Sequence, residues 1–397
     1  MVAGDAAELA AYRQVVAGFE AVQTEVAVRL IEVADRDELT ARLSAALAGG
    51  APPDLFLMSY RSYGQFAARG ALAPLQPYLD RAGGLEANGF YPQPMAAFAE
   101  GVVQTCLPQN ASSLVVYYNA DLFTAAGLES PARGWRWRDM VGAAAALTRD
   151  VDGDGMVDTY GLGVEPALIR LAPFVWSAGG ELVDDETEPT RLALGSVPAA
   201  TAVQSFLDLR VIAGVVPTDE EAEAIDIETR FVDGSLAMLM ESRRVVPTLR
   251  AIEGFEWDVA PLPVHERAAT VLHADAYCLT AAAAHPEQAW AFLEFALGPE
   301  GQAIAASTGR TVPSLRSVAT SEAFLDPAAA PSRSQVFLDN IEIARAVPHI
   351  ATWPEIEDAM DGLLEEAFYE PGGAEAVELI AALDGVTAPI FERGSQS

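Results

Sequence analysis

Residues 25–64 read EVAVRLIEVADRDELTARLSAALAGGAPPDLFLMSYRSYG. Glu25 to Val33 is rich in β-branched residues and reads as a strand. Asp37 opens a helix with Leu39, Leu43 and Leu47 on one face, closed by Gly49-Gly50. Asp54 to Met58 is a short apolar run, as expected of a parallel strand buried on both faces. Strand, helix, strand at these lengths predicts an α/β sheet with right-handed crossovers. Ligands of such sheets sit beyond the carboxyl ends of the strands. That places Ser59-Tyr60-Arg61-Ser62-Tyr63-Gly64, read as a loop after the strand, at a ligand position.

Working outward, Asp5-Ala6-Ala7-Glu8 has the spacing of a capping box, with Asp5 as N-cap and Glu8 reaching back. Leu9, Tyr12, Val15, Val16 and Phe19 follow at helical spacing. Met1-Val2-Ala3-Gly4 reads as the end of a strand whose start lies upstream. Downstream, strands are expected at Ser113–Tyr118, Leu236–Met240 and Ala276–Thr280. Helices are expected at Trp137–Leu147, Ala199–Ala213, Pro286–Leu297 and Trp353–Phe368. Ala260-Pro261-Leu262-Pro263 suits a linker.

The chain has 397 residues, enough for two or three domains. Its 57 acidic residues against 24 basic ones give a net charge of -33, which repels nucleic-acid backbones and anionic lipid surfaces. Every basic residue is Arg, so Schiff-base, P-loop and Ser-x-x-Lys chemistries are excluded. Cys106 and Cys278 are too few for a Cys-rich zinc site or a disulfide scaffold. Two buried thiols are expected, with a single disulfide as the alternative. No apolar run approaches the roughly 20 residues of a membrane span, and no export signal is visible.

Four stretches resemble the extracellular solute-binding proteins of ABC importers, the maltose-binding-like family. They are Val116-Tyr117-Tyr118-Asn119-Ala120-Asp121-Leu122-Phe123, Phe231-Val232-Asp233-Gly234-Ser235-Leu236-Ala237-Met238, Ala289-Trp290-Ala291-Phe292-Leu293-Glu294-Phe295 and Gly309-Arg310-Thr311-Val312-Pro313. Each is weak alone; their order across nearly the whole chain is specific. The departures are the missing start of the first strand and the missing export signal. The resemblance implies a two-lobed α/β fold of the class II periplasmic-binding-protein type. One lobe would hold 1–108 and 263–312, the other 109–262 and 313–397, joined by about three hinge crossings. It also implies a monomeric receptor, periplasmic or lipid-anchored at the cell surface, that closes on a sugar or oligosaccharide without catalysis. Its partner would be the permease subunits of the importer, and it would need no cofactor. The alternatives are a binder of a phosphorylated polyol such as glycerol-3-phosphate or its diesters, a glycoside hydrolase using paired carboxylates, and a cytoplasmic sensor on the same fold.

A sugar site wants aromatic platforms and fixed planar hydrogen-bonding groups. By resemblance and placement the ligand-binding candidates are Gly4, Asp5, Tyr60, Arg61, Tyr63, Asn110, Ser112, Trp176, Glu241, Arg243, Asp275, Tyr277 and Arg310. Trp176 is read as a stacking platform beside Gly179-Gly180, with a core Trp as the competing reading. Arg61, Arg243 and Arg310 together would suit a phosphate or carboxylate; sugar hydroxyls or neighbouring acids are their other outlets. Asp150, Asp152, Asp154 and Asp158 with Gly155 resemble half of a calcium loop, but Gly161 stands where the bidentate Glu belongs. The alternatives there are a structural calcium and a plain loop.

Overall fold

A computed structural model describes residues 1–81 and 83–394. The chain forms two compact units. The first comprises Met1–Ser112, Leu272–Asp326 and His349–Trp353; the second comprises Ser113–Val271, Pro327–Pro348 and Pro354–Ser397.

In the first unit, Val2–Ala3 pairs in parallel with Glu32–Val33. On its other side Met1 accepts a hydrogen bond from the Leu57 amide and its amine donates to Leu55 O, so the strand Leu55–Ser59 runs alongside. Asp275–Leu279 lies antiparallel to Leu55–Ser59, and Cys106–Pro108 antiparallel to Asp275–Leu279. The helices Ala6–Val22 and Pro286–Ala296 cover one face, where Val2, Tyr12, Phe19, Leu57, Tyr277 and Phe292 share a core. Because the first three strands run the same way, their carboxyl ends meet the start of Asp275–Leu279 and the end of Cys106–Pro108 at one edge.

Several expectations change here. Of Glu25–Val33 only Glu32–Val33 pairs as a strand. The second helix starts earlier, at Arg36–Ala48, because Asp35 supplies the cap by accepting from the Glu38 amide at 2.7 Å. Asp5 caps the first helix as expected, but Glu8 turns to other partners instead of reaching back. Ser59–Gly64 is no loop: Ser59 caps a helix over Tyr60–Ala67. A Cβ on Gly64 would lie 1.6 Å from the His349 carbonyl oxygen, so glycine lets the segment 349–353 cross this helix. Residues 313–326 group with the first unit, since Leu315 bridges to Phe90 and Ser314 donates to Pro108 O, while 263–271 group with the second. Cys106 and Cys278 are directly opposed across paired strands and form a disulfide, not two thiols.

In the second unit Val115–Asn119 lies between Trp257–Ala260 and Met238–Glu241, antiparallel to both. Residues 160–163 extend the sheet in parallel beside 236–239. The helices Leu168–Ser177, Val197–Val211 and Ala376–Gly394 pack in sequence, and Phe174 and Phe206 form a ring-to-ring chain with Phe368 of the helix Trp353–Tyr369. Glu165 and Glu241 therefore both emerge at the carboxyl ends of neighbouring parallel strands.

Candidate functional site

The strand-end edge of the first unit carries a connected set of charges. Arg310 reaches Asp5 at 2.5 Å and Glu8 at 3.1 Å. The other oxygen of Glu8 accepts from Tyr12 Oη at 2.9 Å. Arg36 meets Asp275 Oδ2 at 3.1 Å, and Asn110 Nδ2 donates to the same oxygen at 3.1 Å. The Asp275 amide donates back to Asn110 Oδ1. Gly4 is needed for this packing, because a Cβ there would lie 2.4 Å from Glu8 Oε2. Between Glu8, Arg36, Ser59, Ser62 and Asp275 is a recess of about 20 Å³, room for one hydroxyl or one water. Burial pushes the Glu8 carboxyl up, Arg310 opposes that, and the nearby Asp275 carboxylate adds to it.

The second unit has a counterpart. Glu241 Oε2 accepts from Arg170 at 2.5 Å and from Arg244 at 2.9 Å, and its other oxygen accepts from the Ser242 amide. Arg170 also holds Glu165 at 2.8 Å, and Arg244 holds Glu228 at 3.1 Å. Burial would raise the Glu241 carboxyl, but the two guanidiniums and the Ser242 N–H outweigh it and hold it below the usual range. Among the described residues, Arg170 Nε and Nη1 are buried without a partner in the chain.

Of the candidates read from sequence, Gly4, Asp5, Asn110, Asp275 and Arg310 lie together at the first edge. Arg61 is half-buried on the helix nearby and close enough to Arg36 for the two charges to repel. Ser112 is buried at the end of the first unit's opening segment. Tyr60 and Tyr63 do not form platforms: each is 1% exposed and edge-on to Phe98, and Tyr63 Oη bonds Thr105 Oγ1. Tyr277 belongs to the core beside Phe292. In the second unit Glu241 is at the strand end. Arg243 points inward beneath the Phe337 ring, beside Ser334. Its turn (Ser242–Val245) sends Arg243 into the core and Arg244 outward. Trp176 sits in a wholly buried helix and has the Arg345 guanidinium 4.7 Å over its ring. The competing core reading is the one this packing favours.

Sequence reasoning missed Arg36, Glu165 and Arg170, and read Glu8 only as a capping-box partner. Glu8 and Arg36 lie in the first turns of the helices that follow the strands Val2–Ala3 and Glu32–Val33, which was a usable signal. Arg170 is mid-helix in an apolar run (Leu168–Ser177), and that run disguised it as core.

Asp150, Asp152 and Asp158 bring one carboxylate oxygen each within 4.8 Å of one another on the exposed surface; Asp154 is outside that group. Backbone amides of Val151, Gly153, Asp154 and Gly155 already donate to these three carboxylates.

Residues 3–303 match the model of the bacterial extracellular solute-binding protein family. The chain belongs to that family. A binding protein of Brucella abortus (strain 2308) is 23% identical over 376 residues, covering 92% of this chain and 86% of the relative. The ABC substrate-binding protein Lmo0181 from Listeria monocytogenes, solved with cycloalternan, superposes with a TM-score of 0.87 at 21% identity, covering 98% of both chains. UgpB from Mycobacterium tuberculosis, solved with glycerophosphocholine, gives 0.84 at 21% identity over 99% of this chain and 98% of its own. This solute-binding protein thus has the α/β periplasmic-binding-protein fold. Its family is one of solute-binding receptors and not of enzymes. No helix among the described residues is long and apolar enough to cross a membrane.

Proposed function

We propose that this solute-binding protein captures a neutral sugar or oligosaccharide and presents it to the permease subunits of an ABC importer, as a monomer outside the cytoplasm. The carrying observation is charge balance at the first unit's edge. Arg36 and Arg310 are each neutralised by carboxylates, so what remains to bind is a set of fixed acceptors and forked donors that match hydroxyls. Asp5, Glu8, Asn110, Asp275 and Arg310 would hold one part of the ligand. Arg170, whose Nε and Nη1 have no partner in the chain, and Glu165, Glu241 and Arg244 would hold another. Binding to both units would favour a closed state over an open one. The Cys106–Cys278 disulfide suits an oxidising compartment.

The phosphorylated-polyol reading draws support from the glycerophosphocholine complex of one fold neighbour. The placement of Arg243 in the core and of Arg310 between two carboxylates weighs against the three-arginine anion site it needs. Thermal shift and calorimetry over neutral sugars, glycerol-3-phosphate and its diesters decide between them. A true ligand at a hundredfold excess over Kd stabilises by about 2.7 kcal/mol. Response to anionic polyols alone rejects the neutral-sugar reading. Response to the sugar without a fall in radius of gyration by small-angle scattering rejects closure.

A further inference from the structure

Cys106–Pro108 is an edge strand of three residues that pairs on one side, with Asp275–Leu279. Its register sets Cys106 opposite Cys278, Leu107 opposite Tyr277 and Pro108 opposite Ala276. The two cysteine Cα atoms are 4.3 Å apart, the spacing of a pair that exchanges no backbone hydrogen bond. Pro108 falls at the next such position, where no N–H is required. The ladder therefore rests on the positions of Leu107 and Gln109, and the Gln109 amide donates to Asp275 O at 2.8 Å. So short a pairing specifies its register weakly, and a slip of one residue would turn every side chain to the other face.

One residue beyond the ladder is the Asn110–Asp275 contact of the strand-end edge. Asn110 Nδ2 donates to Asp275 Oδ2 and the Asp275 amide donates to Asn110 Oδ1, both at 3.1 Å. On its outer side the same segment is held by the stretch that carries Arg310. Gln302 Nε2 donates to Gln109 O at 2.8 Å, and the Ala111 amide donates to Val312 O at 3.0 Å. Residues 108–111 thus stand between two anchors, and the covalent tie is on the Asp275 side.

We propose that the Cys106–Cys278 disulfide is a positioning element of the ligand site, locking the register that seats Asn110 on Asp275. Both cysteines are buried and touch none of the charged groups at the edge. Beyond stability, the bridge sets the aim of Asn110 and of the Asp275 carboxylate that Arg36 shares. The consequence for affinity rests on the reading of this edge as the sugar site. A tie that only stabilised the unit would, when cut, loosen the whole sheet; a positioning tie loosens one seam of it.

The test compares the oxidised chain with Cys106→Ala/Cys278→Ala and with the chain reduced by dithiothreitol. That reagent gives the bridge two electrons and two protons, leaving two thiols, and closes to its own cyclic disulfide. In both bridge-free forms, amide exchange at Gln109 and Asp275 is expected to quicken roughly tenfold. Thr280, whose amide donates to Asp54 O on the other side of the strand, should keep its rate. Affinity for maltose or cycloalternan by calorimetry should fall roughly tenfold, the size of one lost hydrogen bond to a charged group. Asn110→Ala should cost as much, and removing the bridge from that variant should cost no more. Equal quickening at all three amides, unchanged exchange at Gln109 and Asp275, or additive losses of affinity would overturn the inference. If the oxidised chain binds neither sugar while exchange quickens at Gln109 and Asp275 alone, the sugar reading fails and the positioning role is upheld.

Discussion

The strand-end clusters of the two units have the same formal composition and opposite electrostatics. Asp5, Glu8 and Asp275 with Arg36 and Arg310 make one; Glu165, Glu228 and Glu241 with Arg170 and Arg244 make the other. In the first, burial and the Asp275 carboxylate outweigh the Arg310 and Arg36 guanidiniums at the buried carboxylate, Glu8, and its affinity for protons rises. In the second, Glu241 is gripped by two guanidiniums and a backbone N–H, and its affinity for protons falls. The side chains of Arg170 and Glu241 are 6% and 3% exposed, whereas Asp5 and Arg36 are 52% and 54% exposed. How many partners a buried charge has, and not the count of charges, decides whether a cluster is a rigid brace or an adaptable surface.

The sharpest way to break the contrast is Glu241→Ala. It leaves Arg170 and Arg244 without their shared partner, one of them buried. A loss of about 3–5 kcal/mol is expected in urea unfolding, and a loss below 1 kcal/mol would mean the pair is not a brace. The double variant Cys106→Ser/Cys278→Ser removes a tie from the first unit only. It should cost about 2–4 kcal/mol and separate the melting of the two units in calorimetry; a single unshifted transition would contradict that.

Acid titration separates the clusters by sign. The folded-state value for Glu8 lies above the ordinary 4.5, so its contribution to stability is fully present below 4.5 and is lost as pH rises through the raised value. Glu241 is depressed, so its contribution is present above 4.5 and is lost as pH falls through the lower value. Ligand affinity, which uses the Glu8 carboxylate, should begin to fall at a pH above 4.5. Calorimetry on Glu8→Gln should show that inflection gone. The smallest effect expected is Gly4→Ala: displacement of Glu8 should weaken sugar binding about tenfold, which is about 1.4 kcal/mol. Tm should change little, and a large fall in Tm with affinity intact would place Glu8 in the core and not in the site.

The α/β class was legible from the lengths and order of strand and helix, and Asp5 from its cap; Asn110, Asp275 and Arg310 were reached through the family resemblance. The aromatic candidates were not legible. Tyr60, Tyr63 and Trp176 have the residue types of a platform, but a helix start turned the tyrosines inward and an apolar helix buried the tryptophan. Arg243 and Arg244 are adjacent, and only a turn of backbone decides which of them reaches outward. The run Ala27–Leu30 has a strand's alternation but no strand partner among the described residues, a distinction no single segment can reveal.

Cys106 and Cys278 are separated by 172 positions, and the span between them contains all of residues 113–271 of the second unit. A pull applied to the two ends of the chain would therefore bypass that span. Tension would run through the sulfur bridge, hiding about 600 Å of extended length from a stretching experiment until a reductant was added. A protease cut within 113–271 would likewise leave the molecule in one covalent piece on a gel run without thiol.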